Sequence, residues 1–227
     1  MADARGLFVT GTDTGVGKTL VTAALLRLFA HQGVRVVGMK PVAAGCKDIG
    51  EGTLCEDAAV LAAHASIRAP GDLVNPYCLR PPIAPHIAAR QAGVSIDMAR
   101  ILDAYAALRE RADMIMVEGV GGFMVPLNDR ETTADLARAL ALPVVLVVGM
   151  RLGCLSHALL TARAIKAEGL TLAGWVASCV DPDMSVLAEN VDALVDRIQA
   201  PLLGVLPFQA APDPKWAASR LQLDRIP

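Results

Sequence analysis

Along this chain, short apolar runs alternate with longer stretches in which apolar residues recur at helical spacing. Runs at 7–10, 35–39, 114–117, 144–148, 172–176 and 202–206 are rich in Val, Leu, Ile and Met and read as buried strands. Stretches 20–30, 57–64, 96–109, 132–140, 156–167 and 185–198 read as helices. A βα alternation of this kind predicts an α/β fold with a mainly parallel sheet flanked by helices. Ligands of such sheets bind at the carboxyl ends of the strands, so the residues that follow each apolar run are the first place to look for chemistry. The segment 75–85, with Pro76, Pro81, Pro82 and Pro85, reads as a loop. No stretch resembles a linker or a repeat, and residues 1–227 read as a single domain.

Composition narrows the class. At 54% hydrophobic the chain can bury a sizeable core, while its longest apolar stretch, 139–150, is too short and Pro-broken to span a bilayer. A net charge of −2 without a basic run argues against nucleic acid or an anionic membrane as partner. The opening residues, MADARGLF, hold no long apolar segment of the signal-peptide kind, which makes the cytoplasm the expected location. Cysteines at 46, 55, 78, 154 and 179 form no C-x-x-C pair and read as reduced thiols.

The most specific motif lies between the first apolar run and the first helix: GTDTGVGKT, from Gly11 to Thr19. A phosphate cradle needs glycines for sharp turns, amides aimed at anionic oxygens and a helix N-terminus. Gly15 and Gly17 meet the first need, Lys18 is placed for the β/γ-phosphates, and the Thr19 hydroxyl is placed for Mg²⁺. Five residues separate Gly11 from Gly17 where the standard pattern has four, so the front of the loop is a variant. The expected architecture is thus a P-loop NTPase-like fold.

Other candidates follow the later strands. Lys40, just before Pro41, is placed to project from the carboxyl edge toward the phosphates, and its position alone fits a solvated lysine in a turn equally well. Asp57 opens a helix beside Glu56, which taken alone reads as ordinary helix-dipole chemistry and becomes a site candidate only beside a phosphate cradle. Glu118 ends the 114–117 run and precedes Gly119, Val120, Gly121 and Gly122, where an acid can hold a metal and the glycines admit a ligand. Thr19, Asp57 and Glu118 are all oxygen donors, which favours Mg²⁺ over zinc, and His31, His64, His86 and His157 are scattered.

These blocks together resemble the dethiobiotin synthetase family. The matching segments are GTDTGVGKT from Gly11, GMKPVAAG from Gly38, EDAA from Glu56, NPYCLRPPIAPH from Asn75, VEGVGG from Val117, GMRLGCLSHALLT from Gly149, LAGWVAS from Leu172 and PLLGVLP from Pro201, which span nearly the whole chain. The resemblance implies a cytoplasmic homodimer that takes 7,8-diaminononanoate, CO₂ and MgATP and closes the ureido ring of dethiobiotin through a carbamate and a carbamic-phosphoric anhydride. It further implies that Lys40, Lys18 and Thr14 act at the reacting centre. ATP would lie on Gly15, Val16, Gly17, Lys18, Thr19 and Leu20, with Asp57, Glu118, Gly119, Val120 and Gly121 nearby, and with its base against Ser178, Pro207, Phe208 and Gln209. The metal set would be Thr19, Asp57 and Glu118. The substrate would touch Ala44, and its far carboxylate would reach Gly153, Cys154, Leu155 and Ser156 of the neighbouring subunit, at the start of a helix near Ser156.

The chain departs from the family's pattern in three places. Ser178 stands where relatives often have asparagine, so the base edge meets one hydroxyl instead of a carboxamide. Ala44 and Ala84 stand where relatives often carry serines, which removes two hydroxyls from the substrate's surroundings and predicts weaker binding. Two other functions compete. Switch ATPases of the partition type usually place a lysine where this loop has Asp13, an opposite charge. A cobyrinate-type amidotransferase would call for a further glutamine-hydrolysing domain.

Overall fold

Each of the apolar runs assigned to a strand enters one six-stranded, all-parallel sheet. The structure, a computed structural model, describes residues 6–48 and 53–226. In chain order its elements are β1 (Gly6–Gly11), α1 (Lys18–His31), β2 (Val36–Met39), β3 (Val42–Ala44), β4 (Lys47–Asp48), β5 (Thr53–Leu54), α2 (Glu56–His64), α3 (Gly71–Val74) and β6 (Tyr77–Leu79). They continue with α4 (Pro85–Gln91), α5 (Met98–Arg109), β7 (Met114–Glu118), α6 (Thr133–Leu140), β8 (Val144–Met150), α7 (Cys154–Ala167), β9 (Leu172–Cys179), α8 (Leu187–Val195), β10 (Leu202–Leu206) and α9 (Pro214–Ala218).

The main sheet runs β10-β9-β8-β1-β7-β2, with β1 among the interior strands. Alternation along the strands sends successive side chains to opposite faces. Leu7, Val9, Val36, Met116, Val145 and Val147 pack under α1 with Leu61 and Ala217, while Phe8, Val37, Ile115, Val117, Leu146 and Trp175 pack on the other face with Ile101, Leu108, Leu136 and Ala158. Both faces are therefore covered by helices, as an all-parallel sheet requires. Helix ends follow local chemistry: Thr132 and Asp135 form a reciprocal capping box at α6, and the Asp97 carboxylate accepts the Ala99 amide at α5.

Several boundaries differ from the sequence pattern, among them the 185–198 helix, which is confined to Leu187–Val195. Within 75–85, the residues Tyr77–Leu79 form β6, paired in parallel with β3. Pro76 precedes that strand and so removes no ladder hydrogen bond, while Pro85 occupies the first turn of α4, where its missing N–H costs nothing. Helix α7 starts at Cys154 instead of Ser156, because Gly153 takes a left-handed N-cap conformation (φ 94) two residues earlier. All five cysteines are unpaired.

Candidate active site

β1 delivers the chain to the carboxyl edge at Gly11, and α1 leaves from Lys18. In the intervening loop Gly15 and Gly17 adopt φ of 73 and 92, values that L side chains rarely reach. Gly17 caps α1 with no side-chain hydrogen bond, and no acid lies in the first turn. The first amides of α1 thus remain open at the positive end of the helix dipole, which makes an anion seat. The extra loop residue has a structural outlet. Val16 is buried on the α1 face of the sheet, and Cβ atoms placed on Gly11 or Gly149 would each come within 2.6 Å of its side chain. Thr12 secures the front of the loop to β8, its amide on the Val147 carbonyl (3.0 Å) and its hydroxyl accepting the Gly149 amide (3.1 Å).

Lys18 is buried and donates to the Asp13 carbonyl at 2.8 Å. Burial, reinforced by the neighbouring Lys40 charge, lowers its pKa to about 8 against the partial compensation of Glu118, Asp57 and Asp13.

Beside the loop lies a buried ionic cluster. Glu118, at the end of β7 and 0% exposed, accepts Lys40 Nζ at 2.7 Å and the Thr19 hydroxyl at 2.9 Å, both on Oε1. Its Oε2 is buried with no hydrogen-bond partner. Lys40 leaves the end of β2, also donates to the Gly119 carbonyl at 3.1 Å, and pairs with Asp57 Oδ2 at 2.9 Å. Burial alone would lower the Lys40 pKa, but Glu118 and Asp57 outweigh it and raise it above the ordinary lysine range. Burial likewise opposes the Asp57 charge, and Lys40 outweighs that too, leaving its pKa lowered. Asp57 reaches the cluster because α2 packs tightly on β2: a Cβ on Gly38 would stand 2.7 Å from Leu61 Cβ. The Lys40 backbone is fixed by its amide on the Val74 carbonyl (2.8 Å) and by Asn75 Nδ2, which donates to the Lys40 carbonyl at 2.6 Å.

The donors available to a metal suit Mg²⁺. An unpartnered buried carboxylate oxygen on Glu118, the Asp57 carboxylate and the Thr19 hydroxyl are hard ligands. Among the described residues no group of three or more His, Cys, Asp or Glu forms a metal site by itself, so phosphate and water oxygens would have to complete the coordination.

Two cavities meet at the loop. One of about 790 Å³ is bounded by Thr14, Gly15, Gly17, Lys18 and Thr19 on the phosphate side, by Lys40, Asp57, Glu118, Val120 and Gly121 on its floor, and by Ala44 and Ala84 on its wall. The other, about 260 Å³, shares Gly15 and Gly17 and is lined by Leu20, Ser178, Pro207, Phe208 and Gln209. Of the residues singled out from sequence, Val16 and Gly119 line neither cavity. Val16 shapes the loop from beneath, and Gly119 is committed through its amide to the Val9 carbonyl (2.9 Å) and through its own carbonyl to Lys40. Gly153, Cys154, Leu155 and Ser156 lie at the start of α7, outside both cavities. The Cys154 amide is taken by the Arg151 carbonyl at 2.9 Å, which leaves those of Leu155 and Ser156 as the open ones of that turn. Sequence reasoning missed Asn75 and the ion pair between Arg151 and Asp13. Arg151 directly follows β8, a position that the carboxyl-edge rule would have flagged.

A parallel sheet with an uncapped glycine-rich strand-to-helix loop, its lysine and threonine beside an acid on the neighbouring strand, defines a P-loop nucleotide-binding α/β protein. Solved structures agree on the fold: MinD from Aquifex aeolicus (TM-score 0.54, 16% identical, 91% of this chain and 83% of that one) and MinD from Pyrococcus horikoshii complexed with Mg-ADP (TM-score 0.52, 18% identical, 89% and 81%). A family model described as an AAA domain matches residues 5–215. Among curated proteins, the ATP-dependent dethiobiotin synthetase BioD of Aromatoleum aromaticum is 57% identical over 223 residues, 98% of this chain and 99% of that protein. The protein of the same name from Nitrosospira multiformis is 54% identical over 226 residues, covering 100% and 98%. The chain belongs to the dethiobiotin synthetase family.

Proposed function

We propose that this chain is an ATP-dependent cyclo-ligase that makes dethiobiotin from 7,8-diaminononanoate and CO₂, as one domain spanning 1–227. The observation that carries this reading is the buried Lys40–Glu118–Thr19 cluster, set where the phosphate loop opens into the larger cavity.

The chemistry asks for two anions to be held together. One amine of the substrate adds to CO₂ and loses a proton, giving a carbamate. A carbamate oxygen then attacks the γ-phosphorus of ATP and ADP leaves. The second amine attacks the carbonyl carbon of the mixed anhydride, phosphate leaves, and the cyclic urea forms. No covalent enzyme intermediate is required, so catalysis rests on positioning and charge. Lys18 and Lys40 border the same cavity and offset the repulsion between carbamate and triphosphate. Glu118 and Asp57 hold the Lys40 pKa above the ordinary range, so Lys40 meets its ligands as a cation. The open amides at Gly17 and the first turn of α1 hold phosphate oxygens, and Thr14 faces the reacting groups from the loop's tip. Thr19, Asp57 and Glu118 would hold Mg²⁺, which when bound neutralises β- and γ-phosphate charge. The smaller cavity takes the base against Ser178, Pro207, Phe208 and Gln209.

The family resemblance puts the substrate's far carboxylate at the start of α7 of a second copy of the chain, and the place of that turn outside both cavities is compatible with such a homodimer. No helix among the described residues is long and apolar enough to cross a membrane. The test is the dependence of ADP release. With the pure protein, MgATP and bicarbonate, ADP should appear only when the diamine is added, and glutamine should not replace it. Diamine-independent or glutamine-driven release would overturn the assignment.

A further inference from the structure

The ion pair between Asp13 and Arg151 joins the tip of the phosphate loop to the end of β8. Asp13 is committed at three points. One carboxylate oxygen accepts the Thr14 amide at 2.7 Å, the other accepts the Arg151 guanidinium, and the backbone carbonyl accepts Lys18 Nζ at 2.8 Å. The same strand end also holds Thr12 through Val147 and Gly149 and leaves room for Val16 at Gly149. The last residues of β8, with Arg151 just after them, thus form a template for the front half of the loop, and Arg151 brings the positive charge to it. Asp13 also lines the larger cavity, so its charge stands beside the space that a triphosphate and a carbamate would share. A free carboxylate there would repel both anions.

We infer that Arg151 is a positioning residue for nucleotide binding: by pairing with Asp13 it cancels the acid's charge at the mouth of the phosphate site and keeps the Asp13 carbonyl where Lys18 rests. This inference rests on the nucleotide reading of the site and adds a role for an arginine that need not touch the substrates. The pair is about half exposed, so its own contribution to folding is small. Its effect lies in the field felt by a multiply charged ligand at close range, where one charge changes affinity by about tenfold.

The test is a charge cycle read as the Kd for MgADP by calorimetry, on the full chain at low salt. Arg151→Met should raise Kd by about tenfold, Arg151→Lys should recover most of that loss, and Asp13→Asn/Arg151→Met should bind several-fold more tightly than Arg151→Met alone. A purely structural arginine would give no relief on removal of the acid. Equal Kd for wild type and Arg151→Met, or a double variant no better than Arg151→Met, would overturn the inference. Failure of the wild type to bind MgADP would instead overturn the nucleotide reading beneath it. Thermal denaturation of each variant without ligand separates misfolding from lost affinity.

Discussion

Lys40→Gln probes both the stability and the chemistry of the buried cluster. Lys40 Nζ is the cation between two carboxylates, 2.7 Å from Glu118 and 2.9 Å from Asp57, in a site where Glu118 is wholly buried. Removing one partner of such a pair strands the other charge, at a cost of about 3–5 kcal/mol. The glutamine amide can still donate one hydrogen bond to Glu118, worth about 1 kcal/mol, which leaves a net loss of about 2–4 kcal/mol. That is less than the total stability of an ordinary domain, about 5–15 kcal/mol, so the variant remains folded at 25 °C. Urea denaturation followed by circular dichroism, without ligand, should show this loss. Lys40→Gln/Glu118→Gln should regain most of it, because the stranded charge is gone. Turnover to the cyclic urea should fall by at least about a hundredfold, as expected when a charge at the reacting centre is lost. A stability loss below about 1 kcal/mol, or a double variant no more stable than the single one, would refute the description of Lys40 as the cluster's counter-charge. Near-normal turnover would remove it from the reaction.

Lys18 adds a pH signature. Below about pH 8 it is charged in both folded and unfolded chains and its burial opposes folding; between about 8 and 10.5 only the unfolded chain keeps the proton, so this cost fades as pH rises. Nucleotide should recapture the proton: MgADP binding at about pH 8.5 is expected to take up protons, and at pH 7 not, as read by calorimetry in buffers of different ionisation enthalpy. Equal uptake at both would contradict it. Ala84 is the N-cap of α4 and offers no side-chain acceptor, so Ala84→Ser should raise stability by about 1 kcal/mol in urea denaturation and lower the KM for the diamine. An Ala44→Ser variant with unchanged KM would dispose of the idea that the missing wall hydroxyls weaken substrate binding. Gly17→Ala places a methyl 2.8 Å from the Ser178 hydroxyl at φ 92, and should cost more than about 1 kcal/mol of stability together with measurable nucleotide affinity. Retained MgADP binding in that variant would show that the loop tolerates the strain.

Much of the fold could be read in the chain because its strands are buried on both faces and so appear as unbroken apolar runs, from Val144 to Val148 most plainly. The phosphate loop was readable for a related reason: glycine at positive φ, then lysine and threonine, leaves little latitude of residue type. Lys40 and Glu118 were found by their place after a strand, yet their direct contact was not, since their 78-residue separation is bridged only by the pairing of β2 with β7. The short strands β3 and β6 escaped notice because three residues among prolines carry no period. The start of α7 was misjudged by two residues, Gly153 acting as a cap by backbone conformation alone. The pairing of Arg151 with Asp13 was not legible in the chain, because the two residues lie 138 positions apart.

The central claim is that this cavity joins CO₂ and a vicinal diamine at the expense of ATP through a phosphorylated carbamate. Its most direct test is to supply ¹⁸O-labelled bicarbonate with 7,8-diaminononanoate, Mg²⁺ and ATP, and to follow both products by mass spectrometry before the label exchanges with water. The account predicts a cyclic urea together with inorganic phosphate that has gained one carbonate oxygen. Absence of the urea, or its formation with unlabelled phosphate, would contradict it.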